Sequence, residues 1–411
     1  MKRAETFWQA MVLFLVLLMT VGIYCILTVA LHRLREARGV VGSAAASRSS
    51  DVLQIVEPLD GAILQRSPAV LVRAALLKSG FLQAELQVDG RGLAVQINPD
   101  PKAAPWIGQW IWEEVGQGAH VLAVQARTLD GDLKTSAPVT VTVVPTGTLV
   151  FASNRDGAYA IYAMQTDGRN LVRLTSGPGD ARQPALRPEG GLAFVAESET
   201  GQAMIRRMGE GEQGDTDLFA GRDPAWSPDS TRLAFAASLE GVSQVFTAVA
   251  RSGAPVPVTV EEIYAGQPAW SPDGARLAYA AERQGNWDIW VVALDGGEPR
   301  RLTDDPATDW SPAWSPDGSR LAFVSDRGGS YQIYVMRTNG SDVRPLTSFP
   351  RGVEAPAWSP DGFWLAFVAY TGQGTGINAR EIYLMRTDGQ NQVRLTHDSF
   401  DDTEPKWARG P

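Results

Sequence analysis

Pro224-Ala225-Trp226-Ser227-Pro228-Asp229 returns at residues 268–273, 312–317 and 356–361. A weaker copy, Pro-Ala-Leu-Arg-Pro-Glu, stands at 184–189, and a truncated one, Pro-Lys-Trp-Ala-Arg, at 405–409. At the Trp position (Leu186, Trp226, Trp270, Trp314, Trp358, Trp407) the steps are 40, 44, 44, 44 and 49 residues. A repeat of about 40–45 residues, built from short apolar runs and turn residues, marks an architecture of repeated sheets.

Each unit reads as four short strands. The first holds Pro-Ala-Trp, with Pro tolerated at a strand start. Ser-Pro-Asp-Gly fits a type I turn, with Pro presetting φ at its second position and Gly closing it. Asp229, Asp273, Asp317 and Asp361 are turn formers in this reading. Arg-Leu-Ala-Phe (320–323) supplies the second strand and Gln332–Met336 the third. Thr-Asp/Asn-Gly (166–168, 338–340, 387–389) turns the chain again, and Arg-Leu-Thr (173–175, 301–303, 394–396) forms the outer strand. Such a sheet cannot bury both faces alone, and radial stacking solves this while protecting the edges. Residues 148–175 carry three strands but no Pro-x-Trp strand, and Glu404–Pro411 carry that strand with nothing after it. Joined, they complete a sixth blade, so residues 147–411 are expected to form a six-bladed β-propeller closed by its C-terminal strand.

In a meander, successive loops alternate between two faces. The Ser-Pro-Asp-Gly and Thr-Asp-Gly turns share one face. The other carries longer charged loops, and the blade-to-blade loops there lead into the innermost strands. Asp304, Asp305, Asp309, Arg327, Arg351, Glu354, Asp401, Asp402 and Glu404 are thus candidate ligand-binding residues at the channel mouth. From the second-strand aromatic to the third-strand Ile or Val is 10 residues in four blades, but Phe367 to Ile382 is 15. The extra residues form a Gly-rich loop, Tyr370–Asn378, on the charged face. It is no phosphate cradle, since it lacks a Gly-Lys-Ser/Thr ending and a following helix. A flexible rim loop or a neutral insertion are its two readings.

Residues 52–146 offer strands at Leu53–Val56, Ala69–Ala75, Ala84–Val88, Trp106–Trp112, His120–Arg127 and Val139–Val144, separated by Gly/Asp turns. That pattern predicts a small antiparallel sandwich. Trp106, Trp110 and Trp112 share one strand face, which serves as core or as a sugar-stacking platform. His120 has no second His or Cys near it in sequence and reads as structural.

Two resemblances follow from these residues. The Pro-Ala-Trp-Ser-Pro-Asp-Gly runs, Ser325-Asp326-Arg327-Gly328-Gly329, Ile333-Tyr334-Val335-Met336 and the Leu-Thr endings resemble the propeller of the TolB-type family. Pro58-x-Asp60-Gly61, Val88-Asp89-Gly90 and Gly118–Leu122 resemble bacterial immunoglobulin-like modules. The N-terminal domain of TolB proteins is replaced here by that module. Both resemblances imply an extracytoplasmic body.

Residues 1–50 hold six Lys/Arg and two acids, leaving 31 basic against 44 acidic groups in the other 361, a net of −13. Phosphate contacts need clustered cations, so so acidic a body argues against nucleic-acid binding. One Cys excludes an intrachain disulfide framework and a Cys-based zinc site, and three scattered His leave little for imidazole chemistry. Thr6 to Leu31 carry no charge, which is long enough for a transmembrane helix at about residues 7–31. The alternative is a signal peptide cleaved near Thr28-Val29-Ala30, giving a secreted protein. Residues 1–33 are read as the anchor and 34–51 as a flexible linker.

The expected whole is an all-β, single-pass, extracytoplasmic binding or scaffold protein with a monomeric body, no cofactor and no metal. Its loop face and channel mouth would hold a protein, peptide or envelope ligand, and acidic loops would favour a basic segment or a cation. The alternative is a hydrolase or lyase acting on peptide or glycan through carboxylates such as Asp309 and Asp402. No Gly-x-Ser-x-Gly or His-Glu-x-x-His motif occurs to support it.

Overall fold

The computed structural model describes residues 53–411 apart from 68, 98, 100, 101, 103, 104, 114, 178, 199, 200, 210–213, 251, 252, 260–263, 284, 373–378 and 409–411. The expected membrane span, Cys25 and the linker lie outside the described residues, as does most of the Gly-rich loop. Among the described residues no helix is long and apolar enough to cross a membrane.

Six four-stranded antiparallel sheets follow one another from residue 148. Blade 2 is Asp180–Leu186, Leu192–Glu197, Ala203–Arg207 and Thr216–Ala220. Blade 3 is Arg222–Trp226, Arg232–Leu239, Val242–Val249 and Val256–Pro257; blade 4 is Ala265–Trp270, Arg276–Arg283, Asn286–Ala293 and Arg300–Arg301. Blade 5 is Asp309–Trp314, Arg320–Ser325, Gln332–Arg337 and Arg344–Pro345; blade 6 is Val353–Trp358, Trp364–Tyr370, Arg380–Arg386 and Val393–Arg394. Blade 1 takes Thr148–Asp156, Ala158–Gln165 and Val172–Arg173 from the start of the ring and its innermost strand, Asp402–Ala408, from the end. Each innermost strand touches the next, and that of blade 2 touches Asp402–Ala408, so the ring is continuous.

The repeated residues act between blades. The indole N–H of Trp270 donates to the carbonyl of Ala225 at 3.0 Å, and Trp314, Trp358 and Trp407 do the same to Ala269, Ala313 and Ala357. Trp226 is buried without such a bond; its preceding blade carries the weak repeat, and Arg187 lies over its ring instead. In each Ser-Pro-Asp turn the Ser hydroxyl donates to the Asp carboxylate, as Ser315 does to Asp317 at 2.6 Å, and that oxygen accepts the N–H two residues on. These bonds hold the carboxyls of Asp229, Asp273 and Asp317 below the usual range. Gly340 and Gly389 are needed for two reasons. Their φ values are +86° and +87°, and a Cβ would meet the carbonyl oxygens of Leu302 and Leu346 in the neighbouring blade at 2.7 and 2.8 Å.

The outer strands are two residues long in blades 1 and 3–6 and are held by side chains. Thr175, Thr259, Thr303, Thr347 and Thr396 each accept the N–H of the third-strand Ile or Val, at 2.9 to 3.0 Å. Leu-Thr, or Val-Thr in blade 3, thus ends these five blades because the hydroxyl stitches the outer strand to the sheet.

Residues 53–144 form two facing sheets. One holds Leu53–Glu57, Ala69–Leu76 and Trp106–Glu113. The other runs Ala62–Gln65, Val139–Val144, Gly118–Thr128, Phe81–Val88 and Arg91–Ile97, with Leu133–Thr135 added to Gly118–Thr128. Both contribute to one core around Leu76, Leu86, Trp110, Trp112 and Leu122. Trp110 and Trp112 are buried there, so the Trp face is a packing face. The sequence pattern missed Ala62–Gln65, Arg91–Ile97 and Leu133–Thr135, the first and last of which are only four and three residues long. Ala62–Gln65 pairs in parallel with Val139–Val144, which leads straight into the propeller. His120 is held by Asp89 Oδ2 at 2.8 Å and the Gly116 carbonyl at 2.9 Å, with Trp112 edge-on, a structural setting.

The sandwich is docked on blades 6 and 1. Ile63 packs against the cluster of Leu149, Phe151, Trp364 and Leu384, and Val144 belongs to it. Gln65 donates to Thr166 Oγ1 and the Gly147 carbonyl, and the Trp364 indole donates to Gln117 Oε1 at 2.8 Å.

Candidate functional site

The residue three before each repeat Trp or Leu sits in the left-handed region: Gln183, Asp223, Gln267, Ser311, Ala355 and Glu404, at φ +52° to +57°. Each lies at the shift in register between the innermost strand and the next. The bulge frees a backbone N–H, and the residue at the same place one blade earlier accepts it. Gln183 N–H donates to Glu404 Oε2 at 2.6 Å, and Asp223 N–H to Gln183 Oε1 at 2.8 Å. Gln267 N–H donates to Asp223 Oδ2 at 3.2 Å, and Ser311 N–H to Gln267 Oε1 at 2.8 Å. Gln183 also donates its side-chain amide to Asp223 Oδ1 at 2.6 Å. A belt of side chains therefore runs around the innermost strands through blades 1 to 5. Enclosure pushes the carboxyls of Asp223 and Glu404 up and the amine of Lys406 down.

On the loop face, residues of blades 6, 1 and 2 converge. Arg380 reaches Glu354 at 3.4 Å, Asp401 at 3.2 Å and the Tyr159 hydroxyl at 2.9 Å. Tyr159 donates to Asp401 at 3.0 Å, Tyr370 to Glu354 at 2.6 Å, and Arg182 lies 3.3 Å from the Tyr159 ring centroid. Burial opposes charge on Arg380, but Glu354, Tyr159 and Asp401 hold its guanidinium protonated beyond the usual range. Burial and Glu354 push the Tyr370 hydroxyl up. The Arg380, Glu354 and Asp401 side chains keep 21%, 12% and 27% of their surface, so the network is preorganised but reachable.

Two further groups share one design. Between blades 4 and 5, Asp288 pairs with Arg301 at 2.6 Å and Thr303 at 3.3 Å, and Asp309 with Arg327 through both oxygens at 3.0 and 2.8 Å. Arg327 is also braced by Ser325. Between blades 6 and 1, Glu381 pairs with Arg394 and Thr396, Asp402 with Arg155, and Arg155 with Ser153. Here Asp398 joins, 3.3 Å from Arg155, and Glu381, Asp398 and Asp402 bring carboxylate oxygens within 4.8 Å of one another. Two guanidinium groups already neutralise most of that charge. Burial pushes Asp309 and Asp402 up, against the pull of their Ser and Arg partners.

Burial pushes Glu381 up to about 7, while Thr396 and Arg394 oppose the shift. The folded state then holds this proton more tightly than the unfolded chain, whose value is 4.5. The stability this gives is complete below that value and is lost as pH rises through about 7. Gln244 and Gln332 occupy the equivalent place in blades 3 and 5 and bond the equivalent Thr. Glu381→Gln is therefore expected to gain stability on the wild type between pH 5 and 8. Thermal unfolding across that range checks this, and parallel profiles would contradict it.

The sequence-derived candidates separate into groups. Glu354 and Asp401 meet in the mouth network. Glu404 lies on the channel belt. Asp309 is ion-paired with Arg327 within blade 5 and Asp402 with Arg155 within blade 1, so these acids are not free to recruit a basic ligand. Asp304 is exposed, Asp305 caps the Ala307 N–H, and exposed Arg351 lies against Gly372. Sequence reasoning missed Asp223, Gln183, Lys406, Tyr159 and Arg380. The polar residue before the repeat Pro in five of the six copies was the available signal for the belt.

Residues 222–350, blades 3 to 5 and the blade-to-blade segment after them, match the model of the TolB beta propeller domain. The propeller is TolB-like. The protein TolB homolog of Chlorobium chlorochromatii is 35% identical over 103 residues, 24% of this chain and 23% of that protein, so less than a quarter of the relative's length is matched. The crystal structure of TolB from Acinetobacter baumannii superposes with a TM-score of 0.57 at 20% identity, covering 72% of this chain and 81% of that one. Hydrazine synthase of Kuenenia stuttgartiensis superposes with a TM-score of 0.51 at 14% identity, covering 64% and 47%. Both structural likenesses show the fold alone.

Proposed function

We propose that this protein is a membrane-anchored, extracytoplasmic binding scaffold whose TolB-like propeller holds a protein, peptide or envelope ligand at its loop face and channel mouth. Residues 1–33 anchor it, 34–51 link, 52–146 form an immunoglobulin-like module and 147–411 the propeller of a monomeric body without cofactor or metal. The mouth network of Tyr159, Glu354, Arg380 and Asp401 carries this reading. It draws side chains from separate blades into a fixed, partly exposed surface, so little ordering is left for binding to pay for. Fixed polar geometry favours recognition, because the carboxylates are already engaged. The hydrolase or lyase alternative needs a free carboxylate pair, and Asp309 and Asp402 are each tied to an arginine.

The test is capture of envelope components by the tagged full-length protein. Arg380→Gln with Tyr159→Phe is expected to lower capture about tenfold, since hydrogen bonds to charged groups are worth about 1.5–3 kcal/mol. Undiminished capture by this folded variant would move the binding surface elsewhere.

A further inference from the structure

The sandwich has two ends, and one of them is docked. Gln117 accepts from the Trp364 indole, and a Cβ on Gly118 would meet the Asn391 side chain at 3.2 Å. Trp364 follows a Ser-Pro-Asp-Gly turn and Thr166 opens a Thr-Asp-Gly turn, so the sandwich holds the propeller by its turn face. Gly118–Thr128 runs from there to the other end, roughly 33 Å away along the strand. At that far end Leu53 pairs with Leu76, Leu76 with Trp106, and Phe81 with Thr128. The chain coming from residues 1–52 therefore enters the sandwich at the end opposite the propeller.

This end differs from the rest of the surface. Of the eight exposed leucines among the described residues, four crown it. Leu77 and Leu82 flank one turn and Leu129 and Leu133 another, at 40%, 41%, 58% and 55% exposure. The two turns adjoin, because the Leu129 N–H donates to the Gly80 carbonyl at 2.8 Å. Single exposed leucines need no explanation, but four on adjoining turns mark an interaction surface. The cations are as uneven. Residues 52–411 hold four lysines, and three of them, Lys78, Lys102 and Lys134, are exposed in or beside the connections at this end. Acids are present too: Asp100 precedes Lys102 in sequence, and Asp130 and Asp132 share the second turn, with Asp132 at 3.6 Å from Lys134. The local charge is mixed, so apolar surface has to carry the contact.

We propose that the free end of the sandwich is a membrane-contact surface, with the leucines of both turns set into the headgroup layer of the bilayer and the lysines around them. Leucines lose their contact with water there, while a lysine stem lies along the apolar boundary and keeps its ammonium among the headgroups. A lipid surface is the occupant because the chain that arrives at Leu53 comes from the uncharged stretch Thr6–Leu31. Residues 34–51, the proposed linker, would span roughly 21–25 Å as an unstructured chain, which keeps this end close to the bilayer. The inference rests on the anchor reading of residues 1–33 and adds a second, peripheral contact to it. The loop face with the mouth network lies on the side of the ring away from the docked sandwich.

The test uses the full-length protein with Cys25, its sole cysteine, replaced by alanine. An environment-sensitive fluorophore is attached at Ser79→Cys, between Leu77 and Leu82, or at Leu239→Cys, an exposed leucine on the loop face. Each is reconstituted with phosphatidylcholine–phosphatidylglycerol vesicles, with or without a nitroxide on the acyl chains. Flotation with the vesicles reads the anchor, and quenching by the nitroxide reads the surface. Quenching at Ser79→Cys is expected to exceed that at Leu239→Cys several-fold, and to fall several-fold when Leu77→Gln and Leu129→Gln are added. These sites are exposed, so the fold is expected to survive the changes. A protein that floats but is quenched no more at Ser79→Cys than at Leu239→Cys overturns the proposal and leaves the anchor standing. Quenching at Ser79→Cys without flotation upholds the surface and overturns the anchor. Loss of both signals overturns both. A label that shifts to the blue without quenching puts protein rather than lipid on the leucines and overturns the proposal, as does quenching unchanged by the two glutamines.

Discussion

Asp309→Ala is expected to cost about 3–5 kcal/mol of folding stability, because it strands the partly buried charge of Arg327. The Asp309 side chain has no exposed surface and Arg327 keeps 17% of its own. The guanidinium is wedged over the rings of Phe323 and Tyr334, at 5.4 and 5.1 Å, and cannot swing into water without opening blade 5. Removing both partners is a different experiment. In Asp309→Ala with Arg327→Met the stranded charge is gone and the aromatic contact is kept, so more than half of the loss should return. Chemical denaturation of the three variants reads this directly. A single variant within 1 kcal/mol of wild type would mean that water reaches Arg327 and that the pair is ornamental.

Trp364→Ala is expected to cost a similar amount, about 3–5 kcal/mol, and to change the shape of unfolding. Trp364 is fully buried at the start of a strand where blades 3, 4 and 5 place Arg232, Arg276 and Arg320. The propeller therefore tolerates an exposed polar residue at this position, and the large indole serves the sandwich. It fills the joint cluster with Ile63 and donates to Gln117. Wild type should unfold in one transition and Trp364→Ala in two, sandwich and propeller apart. Trp364→Arg, the residue of blades 3 to 5, should separate the transitions while leaving the propeller's own intact. One unchanged transition in both variants would show that the linkage rests elsewhere.

The repeat was legible because its residues act locally or at a fixed period. Ser-Pro-Asp-Gly closes its own turn, Leu-Thr stitches its own blade, and the Trp bond recurs at one spacing. The candidate site was legible only in part. Asp309 and Glu354 look alike on paper, five residues before a Trp and four before one, yet one is buried against an arginine of its own blade and the other faces the mouth. A one-residue offset in a strand reverses the face, and the bulge at Ser311 or Ala355 reverses it again. The docking of the sandwich was hidden for another reason. It shows in sequence as a departure from the repeat, Trp364 for Arg, and a departure has no period to reveal it. Lys406 is hidden likewise, being one lysine among five alanines.

The closing seam of the ring joins Thr148–Asp156 to Asp402–Ala408, elements about 250 residues apart. At synthesis rates of roughly 5–20 residues per second, the first blade waits on the order of 10–50 s for its innermost strand. During that interval Thr148–Asp156 offers an open edge, the kind that pairs with any other strand. The hazard for this protein is thus a matter of timing during biogenesis, and the sandwich, complete before the first blade begins, is already in place to shelter the waiting sheet.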